Sequence, residues 1–251
     1  MSKSEQSASF SPNRRKFLST TGKIAVGSTL ANLAFTIPKH PGADVLKVGL
    51  IGCGGRGTGA AVQALKADPD VQLVAMADVF QDRMQISYEN LLKEVGDKVK
   101  VKKNRMFLGF DAWKQLIDSD VDVVLLATPP AFRPDHLKYA IEQGKHVFSE
   151  KPMAVDAPGL KKVMDAAKMA KEKSLSLVSG FCWRYDFPKR AIFEKINEGA
   201  IGEVRAIYNT YNTGALWEKP RQPEWNEMEN KMRNWLYYNW LSGDHIAEQA
   251  I

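Results

Sequence analysis

The sequence predicts an α/β fold in which helices cover both faces of a doubly wound parallel sheet. From residue 44 onward, short apolar runs alternate with segments of helical periodicity, the pattern of strands joined by crossover helices. The run at 121–127 is almost entirely β-branched or aliphatic, as expected of a strand buried on both faces. A glycine-rich turn at 52–57 (GCGGRG) separates the first apolar run from the first helical segment. Strand, glycine turn and helix in this order are typical of the first unit of such a sheet.

Each predicted strand is a short apolar run bounded by turn residues. Such runs occur at 46–51, 71–77, 121–127, 146–149 and 176–178. Helical periodicity predicts the connecting helices at 58–66, 81–95, 112–117, 135–143 and 157–173. Because crossovers between parallel strands are right-handed, we expect one sheet with a ligand at the carboxyl ends of its strands.

Beyond residue 180 the composition changes, which predicts the start of a second α/β domain. We expect a helix at 188–198, a strand at 204–211, a tract rich in Trp, Asn, Pro and Glu at 217–240, and a helix that starts near Asp244. One strand with its helices leaves strand edges unpaired, so this second domain is expected to be incomplete. The predicted organisation is a leader and linker at 1–43, a first domain at 44–180 and an incomplete domain at 181–251.

The net charge of +6 is concentrated near the N-terminus and does not indicate nucleic-acid binding. Residues 1–43 contribute +5, which leaves +1 for residues 44–251, where charges of both signs are interspersed. No basic stripe interleaved with aromatic residues is found in the sequence, so a nucleic-acid partner is not expected. The N-terminal region contains one acid, Glu5, and six basic residues: Lys3, Arg14, Arg15, Lys16, Lys23 and Lys39.

The N-terminal region resembles a signal of the twin-arginine export pathway. A pair of arginines in 13–18 (NRRKFL) precedes an apolar stretch at 24–35 that polar residues interrupt. That stretch is too short and too polar for a stable membrane span, which needs about 20 residues. The alternative is a disordered basic tail with an accidental pair of arginines. We expect the twin-arginine machinery as a partner and a periplasmic or exported location, while cleavage or retention as an anchor stays open.

The glycine turn and the acid after the next strand have the spacing of a dinucleotide site. Gly52 permits the tight turn, Gly54 lets the backbone approach a pyrophosphate, and Gly57 lets the helix pack closely against the strand. Asp78 ends the next apolar run about 20 residues on, where a carboxylate can accept hydrogen bonds from the adenosine ribose. Bridging Cys53 to Cys182 would compete with the cofactor for space, so both cysteines are expected to be unpaired.

NAD is expected as the cofactor in preference to NADP. Val79 and Phe80 follow Asp78, so no basic residue directly follows to receive a 2′-phosphate, and the carboxylate itself would repel one. Arg56 and Arg83 are near enough in sequence to keep NADP open.

Two further segments are predicted to lie at the same edge of the sheet. Thr128 and Pro129 follow the strand at 121–127 and can touch the ribose or the nicotinamide; a plain strand-ending turn is the alternative. Glu150 and Lys151 directly follow the strand at 146–149. A desolvated lysine at this place can hydrogen-bond a substrate hydroxyl and help to remove its proton. Pro152 would fix the direction in which the chain leaves the strand, and a cis peptide bond before Pro152 is one way to achieve this. The residues expected to contact the cofactor are Gly52, Cys53, Gly54, Arg56, Gly57, Asp78, Thr128, Pro129, Glu150 and Lys151; no metal is expected.

These segments together resemble the glucose-fructose oxidoreductase / inositol dehydrogenase (Gfo/Idh/MocA) family. The resemblance rests on 48–54 (VGLIGCG), Asp78, 127–130 (ATPP), 144–147 (GKHV) and 150–152 (EKP), and it covers about 45–251, where 201–204 (IGEV) looks like the entry to the family's second domain. It implies an N-terminal Rossmann domain that holds NAD or NADP. It also implies a C-terminal α/β domain whose open sheet bears a sugar, a cyclitol or a derivative, and an oligomer formed through that sheet. By the same resemblance, Lys151 is the lysine of the catalytic site. Twin-arginine export is consistent with the resemblance as well, since members of the family are exported in the folded state with their cofactor.

The chain departs from the family pattern at two places. Many members have a histidine where this chain has Arg133. The family's further catalytic pair is an acid with a histidine four residues on, which helical periodicity places on one face. The preferred register puts the acid at Glu248 and its histidine at position 252, one past the last residue, so the chain is expected to be truncated. A rival assignment uses Asp244 and His245, for which a helix cap and a surface histidine are the alternatives.

The leading hypothesis is an exported NAD-dependent oxidoreductase that acts on a hydroxyl of a sugar-like substrate. Lys151, with Glu248 or His245 from the second domain, would carry the proton. A second hypothesis is a glycoside hydrolase that uses bound NAD in a transient oxidation without net redox change, and a third is a non-catalytic nucleotide-binding fragment.

Overall fold

The computed structural model describes residues 45–249, and the predicted leader at 1–43 lies outside them. Its centre is a six-stranded parallel sheet in the order β3-β2-β1-β4-β5-β6. The strands are β1 (Leu46–Ile51), β2 (Val71–Asp78), β3 (Met106–Leu108), β4 (Val123–Leu126), β5 (His146–Ser149) and β6 (Leu177–Ser179). The order reverses between β1 and β4, which creates a crevice at the carboxyl ends of these two strands. The predicted doubly wound sheet is confirmed.

Five helices connect the strands and cover both faces of the sheet. They are α1 (Gly55–Ala67), α2 (Gln81–Val95), α3 (Ala112–Ile117), α4 (Arg133–Glu142) and α5 (Ala157–Glu172). Short 3₁₀ turns at Gly96–Lys98 and Lys103–Arg105 lead into β3. Because α1 and α2 pack on one face while α3, α4 and α5 pack on the other, apolar side chains form two buried clusters on opposite sides of the sheet.

Beyond β6 the chain forms short helices and long irregular segments. A 3₁₀ turn (Cys182–Tyr185) leads to α6 (Phe187–Asn197), and after an irregular stretch come α7 (Glu227–Arg233), a 3₁₀ turn (Trp235–Tyr237), α8 (Asn239–Ser242) and α9 (Asp244–Glu248). Among the described residues, none of the helices is both long and apolar enough to cross a membrane. The division of the chain at residue 180 stays a prediction.

The strand predicted at 204–211 is wrong, and the strand β3 is an addition to the prediction. Residues 204–211 form no regular structure and are exposed. A strand is stable only when its N–H and C=O groups pair with a neighbouring strand, and none of the described strands lies beside this segment. In contrast, β3 has three residues and is too short for a periodic pattern, yet it pairs in parallel with β2 from Met76 to Asp78.

Candidate functional site

The glycine turn after β1 leaves an open space where a phosphate group fits. Gly52 has a φ of +92°, and a Cβ there would lie 2.7 Å from the backbone of Ala127 and Thr128. A Cβ on Gly57 would lie 1.9 Å from the carbonyl oxygen of Gly52, so the helix approaches the turn too closely for any side chain. At Gly54 and Gly55, in contrast, an added Cβ would have no neighbouring atom within 4 Å. The three glycines of the motif, Gly52, Gly54 and Gly57, therefore occupy the positions that the dinucleotide interpretation requires.

The Asp78 carboxylate links the end of β2 to the glycine turn. Its Oδ2 accepts a hydrogen bond from the Cys53 N–H at 2.6 Å, and its Oδ1 accepts one from the Phe80 N–H at 2.8 Å. Burial raises the pKa of Asp78, although these N–H groups oppose the shift. Cys53 reaches the site through its backbone only, because its buried thiol lies 3.5 Å from the Ala77 carbonyl oxygen. Cys53 and Cys182 are both free, as predicted.

A cavity of about 520 Å³ lies over this crevice and contains most of the predicted cofactor contacts. Gly52, Gly54, Arg56, Gly57, Asp78, Thr128 and Pro129 all line it. A glycine cradle, an acid at the end of β2 and a polar loop at the end of β4 fit an extended dinucleotide that crosses the strand ends. Of the ten predicted contacts, Cys53, Glu150 and Lys151 are not among the described residues that line the cavity.

His136 is a cavity residue that sequence analysis missed. Its Nδ1 lies 3.4 Å from the Thr128 Oγ1, and its ring stacks on Trp113 with the ring centroids 4.4 Å apart. Burial lowers the pKa of His136 to about 4, so the imidazole is neutral at physiological pH. The only sequence signal for this residue is its spacing from Thr128, which places it on the first turns of α4.

The residues at the end of β5 are held by two arginines. The Arg56 Nε donates to Glu150 Oε1 at 2.6 Å, which joins the glycine turn to β5. Arg133 is buried and donates from one guanidinium nitrogen to the carbonyl oxygens of Glu150 at 2.9 Å and Pro152 at 2.5 Å. Burial lowers the pKa of Arg133 to about 10, which leaves it protonated near neutral pH. Arg133 thus binds the carbonyl groups of the two residues that flank Lys151.

Lys151 and Glu248 meet although they lie far apart in sequence. The Lys151 ammonium is 3.0 Å from the Glu248 Oε1 and also donates to the Glu248 carbonyl oxygen. The Glu248 side chain is 8 % exposed, and its Oε2 has no hydrogen-bond partner among the described residues. The Lys151–Pro152 peptide bond is cis, as the sequence suggested. A lysine and a buried carboxylate with one free oxygen form a pair able to hold and pass on a proton.

The rival pair does not converge in the same way. His245 is exposed on α9, and its backbone N–H bonds to the Asp244 carboxylate at 2.6 Å. Among the described residues, no hydrogen bond of the His245 imidazole is found. Gly243, in the left-handed region, occupies the N-cap position of α9, so the alternative of Asp244 as the cap is wrong.

The segment after residue 216 crosses the crevice from β2 to β5. Arg233 pairs with Asp82 at the start of α2, the Leu241 carbonyl oxygen accepts from the Ala131 N–H at 3.2 Å, and Glu248 contacts Lys151. Five cavity-lining residues come from this segment, and sequence analysis missed them all; the richness in tryptophan was the signal available. They are Trp217, Lys219, Met232, Arg233 and Trp235.

Comparisons with known proteins agree with this fold. The model of the Gfo/Idh/MocA oxidoreductase family, described as having an NAD-binding Rossmann fold, matches residues 46–180. The chain is 30 % identical over 173 residues to glycosyl hydrolase family 109 protein 1 of Bacteroides thetaiotaomicron, covering 68 % of this chain and 35 % of the relative. It is 29 % identical over 165 residues to dTDP-3,4-didehydro-2,6-dideoxy-alpha-D-glucose 3-reductase of Actinomadura kijaniata, covering 66 % and 45 %.

Two solved structures show the same architecture. One is KijD10, a 3-ketoreductase from Actinomadura kijaniata in complex with NADP and TDP-benzene, with a TM-score of 0.50, 26 % identity, and coverage of 64 % of this chain and 45 % of that one. The other is scyllo-inositol dehydrogenase from Lactobacillus casei, with a TM-score of 0.50, 23 % identity, and coverage of 64 % and 43 %; this likeness concerns the fold alone. The chain spans less than half the length of each of these four proteins.

Proposed function

Because the chain belongs to the Gfo/Idh/MocA oxidoreductase family with an NAD-binding Rossmann fold, we propose that it catalyses NAD(P)-dependent oxidation or reduction at a hydroxyl carbon of a sugar, a cyclitol or a related substrate. The observation that carries the proposal is the Lys151–Glu248 pair at the end of β5, beside the strand ends where the dinucleotide cavity lies. The similarity to a nucleotide-sugar reductase supports a sugar-like substrate.

In this mechanism the bound nicotinamide supplies or accepts the hydride. The Lys151 amine hydrogen-bonds the substrate oxygen and holds the proton that leaves it in the oxidative direction. The Glu248 carboxylate orients the amine through its Oε1. Arg133 holds the carbonyl groups of Glu150 and Pro152, the residues on either side of Lys151, which restrains the backbone from which the amine extends.

The role of Lys151 is tested by Lys151→Met with Lys161→Met as the matched control, since Lys161 is exposed on α5. Turnover of the responsive member of a panel of aldoses and cyclitols should fall by about 100-fold or more in the first variant, because proton transfer by a positioned group contributes about that much. NADH affinity, followed by fluorescence titration, should be retained. Unchanged turnover in Lys151→Met would contradict the role.

The cofactor is proposed to be NAD, with NADP as the competing candidate. Asp78 at the cavity supports NAD, whereas Arg83 and Lys219 line the same cavity, and KijD10 was solved with NADP. Parallel titrations with NADH and NADPH decide between them. Tighter binding of NADPH would overturn the preference for NAD.

A second candidate function is redox-assisted glycoside hydrolysis, which the similarity to glycosyl hydrolase family 109 protein 1 favours. In that reaction the sugar is released while the nicotinamide returns to its starting state. Incubation with aryl glycosides separates the two functions: sugar release without accumulation of NADH supports the hydrolase, and stoichiometric NADH supports the dehydrogenase.

The N-terminal region is proposed to direct export through the twin-arginine machinery to the periplasm or beyond. The support is the segment at 13–18 with the apolar stretch that follows. Replacing both Arg14 and Arg15 by lysine should abolish export of a fused reporter, whereas Lys23→Arg should leave it unchanged. Export that persists in the double variant would contradict the proposal.

A further inference from the structure

We propose that residues 217–235, which we name the strap, form the outer wall of the adenosine subsite, and that Arg233 fastens this wall and sets the rate of cofactor release. The inference rests on the proposed binding of NAD(P). It assigns cofactor contacts to a segment that lies beyond the residues 46–180 matched by the family model.

The position of the strap identifies the half of the dinucleotide that it covers. In this sheet Asp78 ends β2, and the ribose of the adenosine is expected at that carboxylate. Phe80, Arg83 and Phe110 line the cavity beside Asp78, since β2 and β3 are neighbours. The strap contacts Phe80 and Asp82, so it lies at the adenosine end, whereas Thr128 lies after β4 at the opposite end.

The Arg233 side chain is surrounded by carboxylates and aromatic rings, which stabilise its positive charge. Its two terminal nitrogens donate to the Asp82 carboxylate at 2.9 and 3.0 Å, and its Nε donates to Glu229 at 2.9 Å. The guanidinium carbon lies 4.0 Å from the ring centroid of Phe80 and 4.7 Å from that of Trp225. Its side chain is 9 % exposed. A planar guanidinium can form two parallel hydrogen bonds to one carboxylate while it contacts two aromatic rings. A lysine ammonium cannot reproduce this geometry.

The strap is held together internally, so that fastening one residue positions the whole segment. The buried Asn234 amide accepts from the Lys219 N–H at 2.8 Å and donates to the Lys219 carbonyl oxygen at 3.0 Å, which ties the two ends of the strap to each other. Trp217 and Trp235 lie with ring centroids 6.1 Å apart and both line the cavity. Arg233 therefore sets the position of the two tryptophans and of Lys219.

The hydrogen-bonded attachment of the strap to the first domain is narrow. Within the described part of the chain, the hydrogen bonds found between the strap and residues 45–180 run from Arg233 to Asp82. The Asp82 side chain is 53 % exposed, so water can reach this ion pair and compete for it. Opening this pair lets the wall move away from the adenosine and the cofactor leave.

The experiment measures NADH release by stopped-flow fluorescence, with excess NAD, which does not fluoresce, as the displacing ligand. Arg233→Met should raise the release rate by about 30-fold or more, because it removes both hydrogen bonds to Asp82 and the contacts with Phe80 and Trp225, and such losses act mainly on dissociation. Arg233→Lys should be intermediate, and Asp82→Asn should accelerate release as well. In the double variant Arg233→Met/Asp82→Asn, release should be no faster than in Arg233→Met alone, since both changes break the same contact.

The controls separate a wall of the adenosine subsite from general loosening of the fold. Arg221→Met removes another strap arginine, which pairs at the surface with Glu227, and should leave release within about twofold of the wild type. The release of ADP-ribose, which lacks the nicotinamide and is followed by the rise in fluorescence as NADH replaces it, should be accelerated as much as that of NADH. Asp82→Asn alters an exposed residue, so it tests the proposal even where Arg233→Met does not fold.

Three results would overturn the inference. Folded Arg233→Met and Asp82→Asn variants that release NADH at the wild-type rate would refute the strap while leaving the proposed cofactor intact. Acceleration with NADH but not with ADP-ribose would place the effect at the wrong end of the dinucleotide. A wild-type chain that binds neither NADH nor NADPH would remove the proposed function together with the strap.

Discussion

At the scale of the residue, burial determines the charge of a histidine that lines the cavity. His136 stacks on Trp113 and faces Thr128, and desolvation holds it neutral with a pKa of about 4. The Asp135 carboxylate opposes this shift, and the Arg133 guanidinium adds to it. A neutral imidazole beside the Thr128 hydroxyl can hydrogen-bond an uncharged cofactor group without adding positive charge there.

The depressed pKa of His136 makes the stability of the fold depend on pH. Between about pH 6.5 and pH 4 the unfolded chain binds a proton at this residue and the folded chain does not, so stability falls as the pH falls. The loss should approach about 3 kcal/mol at the acid end of this window. Urea unfolding at several pH values should show this loss in the wild type and a smaller loss in His136→Gln. Equal pH dependence in both proteins would contradict the assignment.

At the scale of the element, α1 begins in a way that leaves its N-terminus available to an anion. Its N-cap is Gly54, and no side chain caps the first N–H groups. Unpaired N–H groups and the helix dipole together attract a phosphate. The same turn contains Gly57, where the backbone of α1 meets the carbonyl oxygen of Gly52. One turn thus contains a glycine that gives space to a ligand and a glycine that permits packing.

The two glycines should respond differently to alanine. Gly54→Ala places its Cβ in open space, with a φ of −70° that alanine adopts freely, so the free energy of unfolding should change by about 0.5 kcal/mol or less. Its NADH affinity should fall by about tenfold, because the methyl group occupies the phosphate position. Gly57→Ala should cost about 1–3 kcal/mol of stability because backbone must move. Chemical unfolding and NADH titration of both variants check this, and the reverse pattern would refute the separate roles of the two glycines.

At the scale of the whole molecule, several large apolar side chains beyond the sheet are exposed. On α6, Phe187, Ile192 and Phe193 are exposed, and on the irregular segment that follows, Ile207 and Tyr208 are exposed, with Phe187 at 80 % and Tyr208 at 92 %. Exposed apolar side chains that lie close together are characteristic of surfaces that meet another protein surface, and Ile192 and Phe193 are neighbours on α6. The expected homo-oligomer stays a prediction.

The 251-residue chain should therefore self-associate in a concentration-dependent manner. The double variant Ile192→Lys/Phe193→Lys should shift it toward the monomer, because two charges on α6 must be desolvated in any contact made by that face. Lys195→Ala on the same helix serves as the control and should leave association unchanged. Sedimentation velocity at several concentrations measures the shift, and a monomer at every concentration would contradict the prediction.

The sequence by itself determined five of the six strands of the sheet and the helices that connect them, and it predicted the separate parts of a cofactor site. The glycine turn, Asp78 and the segment at 150–152 are local patterns, whose meaning depends on neighbouring residues and on the strand ends that follow from a parallel sheet. Apolar periodicity cannot show whether a segment such as 204–211 has a partner, so that strand was predicted and is absent. Three residues were too few to reveal β3.

Only the tertiary structure decided which distant residues share the site. Lys151 meets Glu248 across 97 positions of the chain, and Arg233 meets Asp82 across 151. His136 and the strap were missed for the same reason: their roles follow from what they face and not from their sequence neighbours. Folding brings these groups together because burial of apolar surface fixes the path of the backbone, and the charges then pair where that path places them.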